Sequence, residues 1–262
     1  MDKNEVDFVV FATSTPDYYV PGSGALFQEK MGLDNIGVLD IRQGCSGFTY
    51  ALSVADKFIK TETYSKILVI GAEVQTTQLD FDNDGRGTAV LFGDGAAACL
   101  LTSTDGDKGI LSAHLHSDGQ FIDVLSSSHP SSKYKDIINE DNIKKRQHHI
   151  HMNGREVFKH AVRRFKEVIL EGLENNNLTI DEVDMVIPHQ ANYRITQTVQ
   201  KQLGVSEDKV FSNVHNYGNT TAASIGIALT EALEQNKIKK GDIVVLASFG
   251  AGFQWGSVVI KW

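Results

Sequence analysis

Glu5-Val6-Asp7-Phe8-Val9-Val10 returns far down the chain as Glu182-Val183-Asp184-Met185-Val186-Ile187. Each copy is a short apolar run rich in β-branched residues, which reads as a strand buried on both faces. A loop and a helix follow each, and both helices stop near a glycine, in Met31-Gly32-Leu33 and in Leu203-Gly204-Val205, where glycine supplies a left-handed cap. Next come a short strand, a Gly-containing turn and a second helix, Phe48 to Lys60 in one copy and Thr221 to Gln235 in the other. Another buried strand succeeds it, Lys66-Ile67-Leu68-Val69-Ile70-Gly71 or Asp242-Ile243-Val244-Val245-Leu246-Ala247. Both copies close on a Phe-Gly-x-Gly turn before a last strand, Phe92-Gly93-Asp94-Gly95 and Phe249-Gly250-Ala251-Gly252.

Strands alternating with helices imply sheets that carry helices on both faces. The stretches Ser46 to Ala55 and Ala222 to Leu233 are too apolar and glycine-rich to face water, so they belong between two sheets. The expectation is an α/β fold of five layers with two pseudo-equivalent halves, residues 1–105 and 106–262. The halves are not equal in content. A strand (Gly109 to Ser117) and a long helix (Gly154 to Leu173) precede the second copy, and nothing comparable precedes Val6. The first half is therefore expected to be N-terminally incomplete, as if the chain were truncated or began inside a longer relative. Residues 118–147 are polar and weakly periodic, and Ser126-Ser127-Ser128-His129-Pro130 within them is turn material; this reads as a surface excursion.

Bulk composition narrows the function. The 262 residues include 23 Gly and only 4 Pro, enough chain for one large domain or two intimate ones. No apolar run approaches the ~20 residues that span a bilayer, and no signal or transit pattern is visible. A net charge of −8 argues against general nucleic-acid binding. The two cysteines, Cys45 and Cys99, have no zinc or disulfide spacing, so no metal is expected, and the natural compartment is the reducing cytoplasm.

Gly44-Cys45-Ser46-Gly47 sits where a strand, Val38-Leu39-Asp40-Ile41, meets a helix. The helix N-terminus would point at the sulfur, which predicts a thiol pKa below the free value of about 8.5 and a nucleophile. The alternative is a small buried hydrophobe, the reading that fits Cys99 in mid-strand. His189 ends a strand just after Pro188, and ligands of open α/β sheets bind at such ends. Asn219 occupies in the second copy the turn that Cys45 occupies in the first, so both turns should face one pocket. Gly250-Ala251-Gly252 can present backbone N–H groups to an oxyanion. Arg155, Lys159 and Arg163 recur every fourth residue on the long helix, and Arg194 and Lys201 follow His189; such a stripe is either a solvated face or a docking face.

Together these residues carry a resemblance. Cys45 in Gly-Cys-Ser-Gly-Phe, His189 in Pro-His-Gln-Ala-Asn and Asn219 in Gly-Asn-Thr-Thr-Ala-Ala-Ser resemble the Cys-His-Asn triad of β-ketoacyl-acyl carrier protein synthase III. Arg86-Gly87 leading to Phe92-Gly93-Asp94-Gly95-Ala96, Met152-Asn153-Gly154 leading to Phe158-Lys159, and Phe249-Gly250-Ala251-Gly252-Phe253 are similar to that family too, in order over nearly the whole chain. The resemblance implies a thiolase-like αβαβα fold and an enzyme that condenses an acyl-CoA starter with malonyl-acyl carrier protein, without a cofactor. It implies that Cys45 carries the acyl group, that His189 and Asn219 hold the malonyl thioester oxygen, and that the N–H groups of Cys45 and Ala251 form an oxyanion hole. It implies carrier-protein docking on Gln190, Ala191, Asn192, Tyr193, Arg194, Lys159 and Lys201, and a CoA and acyl pocket at Arg86, Phe92, Asn153, Gly154, Asn192 and Phe249. Val20 stands where the bacterial pattern often has a phenylalanine that closes the neighbouring subunit's acyl pocket, which implies a homodimer and a longer or branched starter. Gly44 and Ser46 replace alanines beside the nucleophile, a form that also occurs in relatives from secondary metabolism. The rival expectations are a non-catalytic carrier-binding or partner subunit and a papain-like Cys-His-Asn hydrolase.

Overall fold

The repeated Glu-Val-Asp triplet has a physical role at each position. The computed structural model describes residues 2–262. Glu5 and Glu182 each close a capping box on a single 3₁₀ turn, with Asp2 and Thr179 as the respective N-caps. Val6 and Val183 are buried. Asp7 accepts the backbone N–H groups of Ser65 and Lys66, and Asp184 accepts that of Ile243, so each aspartate ties its strand to the neighbouring one. The strands proper begin later than the sequence reading placed them, at Phe8 and Met185, because the capped turns take up the glutamates.

The first sheet is built from β1 (Phe8–Ala12), β2 (Gly37–Ile41), β3 (Lys66–Glu73) and β4 (Gly95–Thr102), in the order β2-β1-β3-β4. β1 runs parallel to β2 and β3, and β4 returns antiparallel. Between them lie α1 (Ser23–Met31), α2 (Gly47–Lys60) and the single turn α3 (Arg86–Ala89). After β5 (Gly109–Ser117) the polar excursion forms only the two-residue pair β6 (Leu125–Ser126) and β7 (His151–Met152) and the short α4 (Glu140–Lys144). The rest is α5 (Gly154–Asn175), β8 (Met185–Pro188), α6 (Tyr193–Leu203), α7 (Val214–Tyr217), α8 (Ser224–Glu234), β9 (Ile243–Gly250) and β10 (Gln254–Lys261). The second sheet runs β5-β10-β9-β8. Its β8, β9 and β10 reproduce β1, β3 and β4, a parallel pair with an antiparallel return. The counterpart of β2 is reduced to the bridge between Val186 and Val210. α1 and α6 end at Gly32 and Gly204, both left-handed at φ 57° and 73°, as the glycine positions predicted.

The buried helix layer lies where the sequence placed it. Phe48, Ala51, Leu52 and Ala55 of α2 and Ile225, Ala228, Leu229 and Ala232 of α8 share one core with the inner faces of both sheets. Close approach demands small residues here: a Cβ on Gly226 would stand 2.5 Å from Ala97 Cβ and 3.2 Å from the Phe48 ring. α1 covers Val9, Phe11 and Ile70 on the outer side of the first sheet. α5 and α6 cover Val186, Val245 and Val259 on the outer side of the second.

The inequality of the halves is structural. In the second sheet β10 is paired on its far side by β5, and α5 packs over both. In the first sheet β4 is the last strand, and its outward residues Ala96, Ala98, Leu100 and Thr102 are exposed. Among the described residues the first sheet has no counterpart of β5 beside β4 and none of α5 over it.

Candidate active site

Cys45 belongs to a 3₁₀ turn, Gly44–Ser46, that runs directly into α2. Gly44 takes φ +47°, a conformation that glycine adopts freely. Ser46 Oγ donates to Gln254 O at 3.0 Å and pins the elbow to the second half. Gly250 must be glycine: a Cβ there would come within 2.6 Å of Cys45 Cβ and 3.2 Å of its sulfur. The corresponding turn of the second half, Thr221–Ala223, leads into α8, and Asn219 lies two residues before it.

Cys45, His189 and Asn219 line one cavity of about 280 Å³, together with Leu91, Phe92, Phe165, Phe249 and Gly250. All three are buried. Asn219 is oriented by its surroundings. Its Oδ1 accepts the Thr221 N–H at 2.9 Å and its own N–H donates to Leu91 O at 2.7 Å, so the amide NH₂ is left for the sulfur.

His189 is set by a partner that the sequence reading did not single out. Its Nδ1 lies 2.5 Å from Ser224 Oγ, and the Gln190 N–H donates to the same oxygen at 3.3 Å. The Ser224 hydroxyl has no acceptor other than Nδ1 among the described residues, so its hydrogen is assigned there and the ring proton to Nε2. Nε2 has no partner among the described residues and is the donor that the cavity receives. Burial pushes the His189 pKa down to about 3, so the ring is neutral at physiological pH. The ordinary value is 6.5, so between 6.5 and about 3 the unfolded chain binds a proton that the folded chain refuses. Stability then falls as pH drops through that window. The expected loss from His189 is ~2 kcal/mol between pH 7 and pH 5, read as a lower urea midpoint, and it should be smaller in His189→Asn.

The Cys45 thiol departs from expectation. The helix N-terminus was expected to lower the thiol pKa, but burial pushes Cys45 up to about 12, and the Glu73 carboxylate adds to the rise. The Asn219 amide and the N–H groups of Cys45 and Ala251 pull the other way without overcoming it. Desolvating a thiolate costs more than a half-charge dipole and three donors return. Glu73, at the end of β3, is itself buried. It accepts from Ser14 N at 3.1 Å, Ser14 Oγ at 2.9 Å, Thr15 Oγ1 at 3.0 Å and Gln75 Nε2 at 3.2 Å. Burial holds its carboxyl above the ordinary 4.5 despite those donors. Cys99 is held up to about 12 by burial alone, in keeping with a structural role.

Cys45 also lines a second cavity, of about 390 Å³, walled by the Ser14–Tyr19 loop, Arg42, Gln75, Thr221 and Ala251. The sulfur thus stands at a junction, with one space toward His189 and Asn219 and another toward the loop after β1.

Comparison with known proteins agrees with this geometry. Residues 39–119 match the model of 3-oxoacyl-[acyl-carrier-protein (ACP)] synthase III, and residues 173–262 match the model of its C-terminal part. A β-ketoacyl-[acyl-carrier-protein] synthase III of Clostridioides difficile is 42% identical over 262 residues, spanning 100% of this chain and 78% of its own. The chain belongs to the β-ketoacyl-[acyl-carrier-protein] synthase III family. Among solved relatives, the crystal structure of 3-oxoacyl-[acyl-carrier-protein] synthase III from Aquifex aeolicus aligns with a TM-score of 0.90 at 38% identity, over 99% of this chain and 78% of that one. The Thermus thermophilus synthase III aligns with a TM-score of 0.89 at 37% identity. The fold is accordingly the thiolase-like one.

The residues that the synthase III resemblance assigned to docking and to the pocket divide on inspection. Phe92, Gly154, Asn192 and Phe249 line the smaller cavity, as do Ala191 and Arg194. Asn153 does not: it is the N-cap of α5, exposed, with its side chain accepting the Glu156 N–H at 3.3 Å. Arg86 is not in the cavity wall either, which is reached by its neighbour Gly87. Val20 lines neither cavity of its own chain and is 79% exposed. Gln190 is no surface docking residue. It is 1% exposed and holds Pro188 O and Phe211 O through Nε2, because the turn after β8 folds it inward. Tyr193, Arg194, Lys159 and Lys201 are exposed. Lys159 stands 3.8 Å from Glu156, and Arg163 is neutralised by Glu167 at 2.7 Å. Among the described residues Arg155, Arg194 and Lys201 have no ion-pair partner, and of these Arg194 lines the cavity.

Proposed function

We propose that this chain is a condensing acyltransferase that transfers an acyl-CoA starter to Cys45 and joins it to malonyl-acyl carrier protein by decarboxylative Claisen condensation. That reaction begins fatty-acid or related acyl-chain synthesis. The observation that carries the reading is the convergence of Cys45, His189 and Asn219 on one cavity, in a chain 42% identical to a synthase III.

In the first half-reaction the Cys45 sulfur bonds to the thioester carbonyl carbon, the bond from that carbon to the CoA sulfur breaks, and the thiol proton leaves with CoA. The donors that reach the sulfur, the N–H groups of Cys45 and Ala251, are placed to take the tetrahedral oxyanion. In the second, the malonyl thioester loses CO₂ and its electron pair passes to the thioester oxygen as an enolate. His189 Nε2–H and the Asn219 amide donate to that oxygen as charge develops. The carbon then attacks acyl-Cys45, a carbon–carbon bond forms, and the sulfur departs and regains a proton. Neutral donors suit this task, because their hydrogen bonds strengthen only as negative charge appears. Decarboxylation supplies the carbanion, so the chemistry requires no cofactor beyond the two thioesters. Mass labelling of Cys45 by acyl-CoA tests the assignment: a mass gain that Cys45→Ser abolishes is expected, and no gain on the native chain would overturn it.

The carrier protein docks, in this reading, on the exposed basic face of Arg194, Lys159 and Lys201 beside the cavity mouth. Acyl carrier protein is acidic, so local complementarity steers it despite the chain's net negative charge. Arg194→Glu is expected to weaken carrier binding roughly tenfold and to flatten its salt dependence. Titration at low and high salt checks this, and an unchanged affinity would remove Arg194 from the interface. A second copy covers the loop in which Tyr18, Tyr19 and Val20 are 60%, 54% and 79% exposed, making a homodimer in which Val20 reaches the neighbour's starter cavity. The need of Cys45 for a free thiol supports a cytoplasmic location.

A further inference from the structure

We propose that the starter acyl group bears a hydroxyl, recognised by Gln75 and Thr221 in the larger cavity; this rests on the reading of Cys45 as the acyl acceptor. Both residues share that cavity wall with Cys45. Both are nearly inaccessible, Gln75 at 1% and Thr221 at 3% exposure. Neither Gln75 Oε1 nor Thr221 Oγ1 has a hydrogen-bond partner among the described residues.

The orientation of Gln75 is settled by chemistry. Its amide nitrogen donates to Glu73 Oε2 at 3.2 Å and to Ser14 Oγ at 3.0 Å. An ionised carboxylate only accepts, so the nitrogen must face Glu73 and the oxygen is left as an acceptor. Thr221 is held as firmly. Its N–H donates to Asn219 Oδ1 at 2.9 Å, and its φ of +50° is one a β-branched residue rarely adopts. Its hydroxyl is free to donate.

An alkyl starter would bury an acceptor and a donor against hydrocarbon, and buried polar groups without partners weaken binding. A starter ending in a carboxylate would bring negative charge to Gln75 Oε1, which has no proton to offer, with Glu73 directly behind. A hydroxyl donates once and accepts twice, so its chemistry matches both the acceptor on Gln75 and the donor on Thr221. The smaller cavity differs in what it presents: its unpartnered polar atom is His189 Nε2, set among Leu91, Phe165 and Phe249.

The test compares the rates at which butyryl-CoA, 3-hydroxybutyryl-CoA and 4-hydroxybutyryl-CoA acylate Cys45, followed by intact-protein mass. At least one hydroxyacyl thioester should exceed butyryl-CoA in kcat/KM by roughly tenfold or more, since sites built to bind a hydroxyl discriminate against analogues that lack it. Thr221→Val keeps the side-chain shape and breaks no hydrogen bond within the chain; it should remove most of that preference, and Gln75→Leu should do the same. Butyryl-CoA matching or exceeding both hydroxyacyl thioesters would overturn the proposal, as would a hydroxyacyl preference that survives both substitutions. Should Cys45 take an acyl group from none of the three, the assignment of the nucleophile falls first and this inference with it. Labelling by butyryl-CoA alone removes only the hydroxyl.

Discussion

Cys45→Ser is expected to end acyl transfer while leaving malonyl decarboxylation measurable. Serine keeps the elbow's shape, since Cys45 sits in a turn fixed by Gly44, Ser46 and the approach of Gly250. It replaces a polarisable sulfur by an alcohol that ionises far less readily, in a site where burial already resists the anion. The loss should be on the order of 10⁴-fold or greater, as when the nucleophile of an acyl-transferring enzyme is removed. His189 and Asn219 are untouched, so their donors still stabilise the enolate of a bound malonyl thioester. Intact-protein mass after incubation with acyl-CoA reads the first effect, and CO₂ release from malonyl-carrier reads the second. Mass gain on the wild-type chain and none on the variant is the expected pair. No gain on the wild-type chain favours a carrier-binding or partner subunit. Loss of both activities in the variant would mean that Cys45 and His189 have been given the wrong roles. Turnover of simple amides would revive a hydrolase.

What the sequence makes legible here depends on distance along the chain. The two Glu-Val-Asp copies mark equivalent strands because each residue works locally, capping a turn, filling the core or accepting from the adjacent strand. The meeting of Cys45, His189 and Asn219 follows from the repeat, since equivalent turns ahead of α2 and α8 face each other across one core. The thiol's pKa does not follow. Dipole reasoning uses residues next to Cys45, whereas its high value comes from burial and from Glu73, on a strand that β1 separates from β2. Ser224 was visible as the end of the Gly-Asn-Thr-Thr-Ala-Ala-Ser motif, but a serine opening a helix reads as a local feature and not as a partner for a distant histidine. Its contact with His189 exists only because β8 and α8 pack together. Gln190 came to the docking face through the resemblance alone, and the carbonyls of Pro188 and Phe211 make it an interior residue.

His189→Ala should separate the two half-reactions in the opposite sense. With Nε2–H gone, the enolate keeps only Asn219 as a side-chain donor, and condensation should fall about 10²–10³-fold, the usual cost of one oxyanion-hole donor. Acylation of Cys45 should survive within roughly tenfold, because its oxyanion donors are the backbone N–H groups of Cys45 and Ala251, not the imidazole. Pre-loading Cys45 and then adding malonyl-carrier isolates the condensation step; intact mass follows the loading. The pH profile adds a second check. Burial keeps His189 neutral down to about 3, so wild-type condensation should show no inflection near 6.5 from this ring. Ser224→Ala leaves the ring present but frees Nδ1 to hold the proton, and part of the population then offers Nε2 as an acceptor. A smaller loss in condensation is expected, with loading unaffected, which marks Ser224 as a positioning residue. Should His189→Ala instead abolish loading together with condensation, the imidazole would be acting on the Cys45 step as well, and its assignment as a donor to the enolate alone would fall.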